Sequence, residues 1–209
     1  MVVEAEVRLR RRRGCLTLRL DRGPCSSDTT RATLGRRRAR KLLGSRRTSM
    51  ATARFFYKDP DAPSPNRPIG VGVLALIDSA GALLMDRRSD CGGWGLPGGA
   101  VAPDEALEAA LLREVHEETG LAVTDCELFC ISAHPSRIAR YPDGNVVRLL
   151  TFAFAARVEN LDVLRASEES EGLAFLRREE LRRVDVIETA RPIIERYFSQ
   201  EIPQGVLLR

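Results

Sequence analysis

The 209-residue chain is 44% hydrophobic, enough for one sizeable core or one domain with an appendage, and too little for two large enzymatic domains. Its longest apolar run, Val71–Ile77, falls far short of the ~20 residues a bilayer requires, and no positive–apolar–small leader opens the chain, so neither a membrane helix nor secretion is expected. The net charge of +4 conceals a split. Residues 1–49 hold 15 Lys and Arg against 4 Asp and Glu, whereas residues 50–209 hold 18 against 25. The basic balance therefore belongs to the tail, and it is no argument for nucleic-acid binding by the rest.

Residues 1–49 show no sustained period and carry the runs Arg10–Arg13 and Arg36–Arg38. Three readings compete: a disordered basic tail for RNA or membrane surfaces, a targeting peptide opposed by Glu4 and Glu6, and a translation start placed upstream of the real one. Composition shifts abruptly at Met50, which favours the third. The expected division is a basic, disordered or non-native extension over 1–49 and a folded domain over 50–209, with no nucleic-acid partner unless the extension is native. The four prolines of residues 59–68 predict an extended lead-in. Val71–Asp78, apolar and β-branched, predicts a buried strand. Ser79-Ala80-Gly81 turns the chain into a hairpin partner, Ala82–Arg88. Cys91–Gly99 is a glycine-rich loop. A helix is predicted over Asp104–Thr119, with Asp104 as N-cap and Gly120 just past its end.

Leu121–Ser132 reads as a strand, and residues 133–145 as a loop closed by a Pro-Asp-Gly turn. Val146–Val158 is a long strand and Leu173–Leu176 a short one. Thr189–Phe198 closes as a helix with Pro192 in its first turn and Ala190, Ile193, Ile194 and Tyr197 on one stripe. Strands and helices alternate, so the expected class is α/β with a mixed sheet between helices. The five cysteines (15, 25, 91, 126 and 130) form no metal-site or disulfide pattern. They read as small buried hydrophobes, reduced in a cytoplasmic protein.

The 104–119 helix carries its acid in the wrong place for a purely structural element. Leu107, Ala110 and Leu111 share a face with Glu114 and Glu118, and Glu117 borders it. Glu117 and Glu118 stand at the helix C-terminus, where the macrodipole is already negative. At ~6 Å and an effective dielectric near 20, each carboxylate pair repels by about 3 kcal/mol before screening. A divalent cation reverses that sign, and clustered carboxylates suit Mg²⁺ or Mn²⁺. The preceding Gly92, Gly93, Gly95, Gly98 and Gly99 let backbone approach a ligand closely. A phosphate chain between loop and metal accounts for both features.

These residues resemble the Nudix hydrolase signature G-x5-E-x7-R-E-U-x-E-E-x-G-U, with U aliphatic. The matching positions are Gly99, Glu105, Arg113, Glu114, Val115, Glu117, Glu118, Gly120 and Leu121; a chance match in this chain is on the order of one in ten million from average composition. WGLPGG (Trp94–Gly99) looks like the family's usual approach to this motif, and YKDPDAP (Tyr57–Pro63), RYPDG (Arg140–Gly144) and EESE (Glu168–Glu171) resemble one bacterial branch of broad, poorly defined specificity. The resemblance implies a Nudix α/β/α sandwich and hydrolysis of a nucleoside diphosphate linked to another group. It implies Mg²⁺, or Mn²⁺, on Glu114, Glu117, Glu118 and the Gly99 carbonyl. By the same carry-over Arg113 orients the glutamates and Glu105 braces the loop. Glu114 is the first choice of general base, with Glu169 and Glu171 as alternatives.

Candidate substrate contacts are Arg88 for phosphate, Trp94 for base stacking, Gly98 for backbone approach and Tyr141 from the 133–145 loop. Pro135, 14 residues past the motif, tilts the substrate towards ADP-ribose or a nucleotide sugar. The alternatives are (d)NTP pyrophosphohydrolysis in nucleotide-pool cleaning and, in another class, a non-catalytic nucleotide sensor. Family analogy adds a homodimer.

Overall fold

The computed structural model describes residues 52–199, together with the backbone of 10–12, 15–17 and 207–208. The chain divides into two units, Met1–Ser49 and Met50–Arg209. In the first unit, strands β1 (Arg10–Arg12) and β2 (Cys15–Thr17) pair antiparallel. The expectations of a disordered extension and of a start at Met50 otherwise lie outside the described residues, as do the side chains of Cys15 and Cys25.

The second unit is built on β4 (Gly70–Leu76) and β10 (Val146–Val158), which run parallel in register from Leu149 opposite Gly70 to Ala155 opposite Leu76. β8 (Val123–Ser132) lies antiparallel on the far side of β10, and β12 (Leu207–Leu208) joins β8 in parallel. The first residues of β10 also pair with β9 (Ile138–Arg140), and β9 with β3 (Arg54–Phe56). A second sheet orders β11 (Ser170–Leu176), β6 (Ala82–Arg88) and β5 (Asp78–Ser79), with β7 (Trp94–Gly95) on β6. Ala80 and Gly81, at φ 52° and 78°, make the two-residue turn from β5 to β6.

Period-two alternation sends the two faces of the strands into separate cores. Val73, Ala75 and Ile77 meet Leu84, Phe154 and the apolar stripe of α1 (Leu107–Thr119). Leu76, Leu83 and Met85 meet Leu181 of the short α2 (Arg178–Leu181) and Ile193 and Ile194 of α3 (Arg191–Ser199). Helices therefore cover both faces of a mixed sheet, an α/β/α sandwich as the resemblance implies. Burial on both faces is why β4 and β6 read as nearly unbroken apolar runs. No helix among the described residues is long and apolar enough to cross a membrane.

Several boundaries differ from the sequence reading. The helix begins at Leu107 with Ala106 as a cap that makes no side-chain bond, not at Asp104. The segment expected to form its first turn is drawn away because Glu105 bonds Arg113 and the Ala102 amide. Its other end holds: Gly120 sits at φ 72° and donates to the His116 carbonyl. The 133–145 loop contains β9, whose Ile138 and Ala139 are buried. β3, β7 and α2 were not expected. Cys130 is buried, whereas Cys91 and Cys126 are only half-buried.

Candidate active site

The loop from Pro97 to Val101 is laid along β4 by backbone bonds: Ala75 N–H to the Pro97 carbonyl at 2.8 Å, Val73 N–H to the Gly99 carbonyl at 3.0 Å, and Val101 N–H to the Val71 carbonyl at 3.0 Å. Gly98 has φ +137°, and a Cβ there would overlap the Val73 carbonyl oxygen. Only glycine lets this loop lie so close to the strand. The approach delivers the Gly98 N–H to Glu118 Oε2 at 2.7 Å and sets Gly99 against the Glu114 carboxylate.

Arg113 is the hub of the acidic helix end. Its guanidinium grips Glu105 with two bonds of 2.8 Å, donates to Glu114 Oε1 at 2.8 Å and Glu117 Oε2 at 3.1 Å, and reaches the Ala100 carbonyl at 3.1 Å. The Arg113 bond holds the Glu105 carboxyl below its ordinary range, and the carboxylates hold the guanidinium proton more firmly than usual. Glu118 has no such cation. Burial pushes its pKa up to about 8, and the neighbouring Asp86 and Glu114 charges add to that rise. The Gly98 bond and the Arg88 charge oppose it without prevailing.

Glu114, Glu118, Gly98 and Gly99 line one end of a cavity of about 490 Å³ that opens over β4 and β10. Arg88, Tyr141 and Glu169, all expected at the site, share it, and Phe55 and Arg137 join them unexpectedly. Tyr141 meets Phe55 edge-to-face at 6.4 Å. Arg88 is not a free phosphate ligand: it is bidentate to Asp90 at 2.9 and 2.6 Å and lies over the Phe55 ring. Trp94 falls outside the cavity lining. It packs against the core, with its backbone bonded to Asp185 and Ile187. Glu171 also falls outside, paired with Arg87 at 3.1 Å where both side chains are exposed. A further acid was missed. Asp86 of β6 is buried, accepts a short bond from the Ser170 hydroxyl, and has its pKa raised by burial. It sits in an apolar strand, so no local pattern marks it.

No group of three or more His, Cys, Asp or Glu among the described residues is drawn together as a metal site. The expected set is instead divided. Glu114 and Glu117 share the Arg113 cation, Glu118 turns to the Gly98 amide, and the Gly99 carbonyl already accepts from Val73. The donor chemistry nevertheless fits a hard divalent ion. Three carboxylates stand within little more than one helical turn, and one of them is partly desolvated with no cation bonded to it among the described residues.

The chain belongs to the NUDIX domain family, whose pattern it matches over residues 66–197. It is 43% identical over 70 residues to an RNA pyrophosphohydrolase of Pseudomonas putida, an alignment spanning 34% of this chain and 41% of that relative's length. It is 32% identical over 128 residues to the nucleoside triphosphatase NudI of an Enterobacter species, covering 57% of this chain and 89% of the relative. Among solved structures it resembles the MutT NUDIX hydrolase of Burkholderia pseudomallei, with 27% identity, 62% of this chain, 98% of that one and a TM-score of 0.51.

Proposed function

We propose that the chain is a divalent-cation-dependent hydrolase that cleaves the phosphoanhydride of a nucleoside diphosphate linked to another group. The observation that carries this reading is the Arg113 hub, which gathers Glu105, Glu114 and Glu117 beside the cavity that Glu114 and Glu118 line. Glu114, Glu117 and Glu118 would hold the cation, with Mg²⁺ favoured and Mn²⁺ an alternative. When bound, the ion supplies neutralisation of the phosphate oxygens and a lowered pKa for the attacking water. The chain's own residues do the rest. The Gly98–Gly99 backbone sets the depth to which the phosphates enter. Arg113 fixes the rotamers of Glu114 and Glu117. Phe55 and Tyr141 offer aromatic surface to a base. One carboxylate takes the proton of water as its oxygen bonds phosphorus and the bridging oxygen departs with the other phosphate. Glu114 is our choice for that proton acceptor, and Glu169 is the alternative within the cavity lining.

ADP-ribose and nucleotide sugars are the preferred substrate class. The names of the relatives support a second reading, removal of pyrophosphate from a nucleoside triphosphate or from RNA. A panel of ADP-ribose, nucleotide sugars and (d)NTPs, assayed with Mg²⁺ or Mn²⁺ and with products identified, tests both. A sugar phosphate plus a nucleoside monophosphate supports the first reading. Pyrophosphate supports the second. No turnover of any phosphoanhydride refutes the proposal.

A further inference from the structure

We propose that Arg137 makes this cavity an anion-recognising site, taking a second oxyanion of the ligand, separate from the anhydride that the glutamates serve. The residue is 1% exposed and belongs to the cavity lining. Nη1 donates to the Ser132 carbonyl at 2.8 Å and Nη2 to the Thr189 carbonyl at 2.9 Å, while Nε has no hydrogen-bond partner among the described residues. Among the described residues no carboxylate pairs with it, in contrast to Arg88 on Asp90 and Arg113 on Glu105.

A tie between two backbone carbonyls needs only a neutral amide donor; a guanidinium adds a buried charge and its desolvation cost. Burial pulls its pKa down to about 10, so it stays charged at neutral pH. The Cys130 thiol is itself pushed up to about 11 by burial. The cavity lining thus holds the acidic Glu114 and Glu118 and a cation that no carboxylate pairs with among the described residues. A ligand with negative charge at two places, such as a nucleoside diphosphate joined to a group bearing its own phosphate or carboxylate, would meet Arg137 with one and the cation that the glutamates would hold with the other.

This deepens the proposed function and rests on it only in placing a phosphate-bearing ligand in the cavity. The test reads Arg137 itself. In the full ¹⁵N-labelled chain with EDTA, where no hydrolysis occurs, the Nε–Hε resonance of Arg137 is identified by its loss in Arg137→Lys. Titrating inorganic phosphate should shift that resonance saturably, whereas sodium chloride of equal ionic strength should not. No saturable shift, or an equal response to chloride, overturns the proposal. A second arm uses Arg137→Gln, which keeps donors for the carbonyls and removes the charge. Between UDP-glucuronate and UDP-glucose, matched except for one carboxylate, wild type should favour the anionic ligand by about tenfold in Kd, and the variant should lose that preference. Equal affinities in wild type contradict it. Absence of turnover in wild type would count against the hydrolase reading alone, because both arms are binding measurements.

Discussion

Gly99→Ala separates the chemistry of the site from its stability. Gly99 does not have positive φ, so its backbone accepts alanine. The added Cβ would stand 2.5 Å from Glu114 Cδ and Oε2 and 2.7 Å from Oε1. Ordinary carbon contacts lie near 3.5 Å, so the carboxylate must retreat by about 1 Å. Glu114 is a flexible side chain on an intact helix, and its loss of the half-exposed Arg113 contact costs about 1 kcal/mol or less. A displacement of that size in a reacting group lowers kcat/KM by roughly 100-fold, or about 3 kcal/mol of barrier. The contrast is Gly98→Ala, whose Cβ would strike the backbone of Val73 and Leu74 from φ +137° and should cost several kcal/mol of fold stability. Turnover and thermal unfolding measured on both variants test the argument. It fails if Gly99→Ala keeps wild-type turnover, or loses it only by unfolding.

Glu118, with a folded-state pKa near 8 against an ordinary 4.5, keeps a proton that the unfolded chain releases. Stability should therefore be full below about pH 4.5 for this group and fall as pH rises towards 8, by on the order of 5 kcal/mol if the whole effect is realised. Glu118→Gln should flatten that slope in urea titrations across the window, and an unchanged slope contradicts the assignment. Arg113→Ala should lower kcat/KM by roughly 100-fold through misplaced glutamates, and Arg113→Lys should recover little because a lysine has no fork. Steady-state kinetics with circular dichroism as a fold control decide this. Glu114→Gln should cost at least about 100-fold in kcat, whereas Glu171→Gln, which breaks only an exposed pair with Arg87, should stay near wild type.

The most legible parts of the chain were those whose signal is local and long. β10 runs over the very residues its apolar length marks, Val146–Val158, and the C-terminal stop of α1 follows from Gly120. The acidic end of α1 was visible because its glutamates interrupt the amphipathic pattern of their own helix. The N-terminus of that helix was not legible, since Glu105 leaves the capping position for a tertiary bond to Arg113. β3 and β9, three residues each, are too short to show a period and exist only through pairing with each other and with β10. Arg137 lies in a stretch that reads as loop, and its bonds reach carbonyls five and 52 residues away, which no local pattern reveals. Trp94, named from sequence as a surface for a base, packs partly buried against a core cluster.

Binding of Mn²⁺ to the purified full chain, followed by the loss of the free-ion electron paramagnetic resonance signal, addresses the central claim most directly. Saturable binding at submillimolar free ion, abolished in a Glu117→Gln/Glu118→Gln double variant that keeps its circular dichroism spectrum, is the predicted result. Equal binding by wild type and the double variant, or none by either at millimolar ion, would contradict the account.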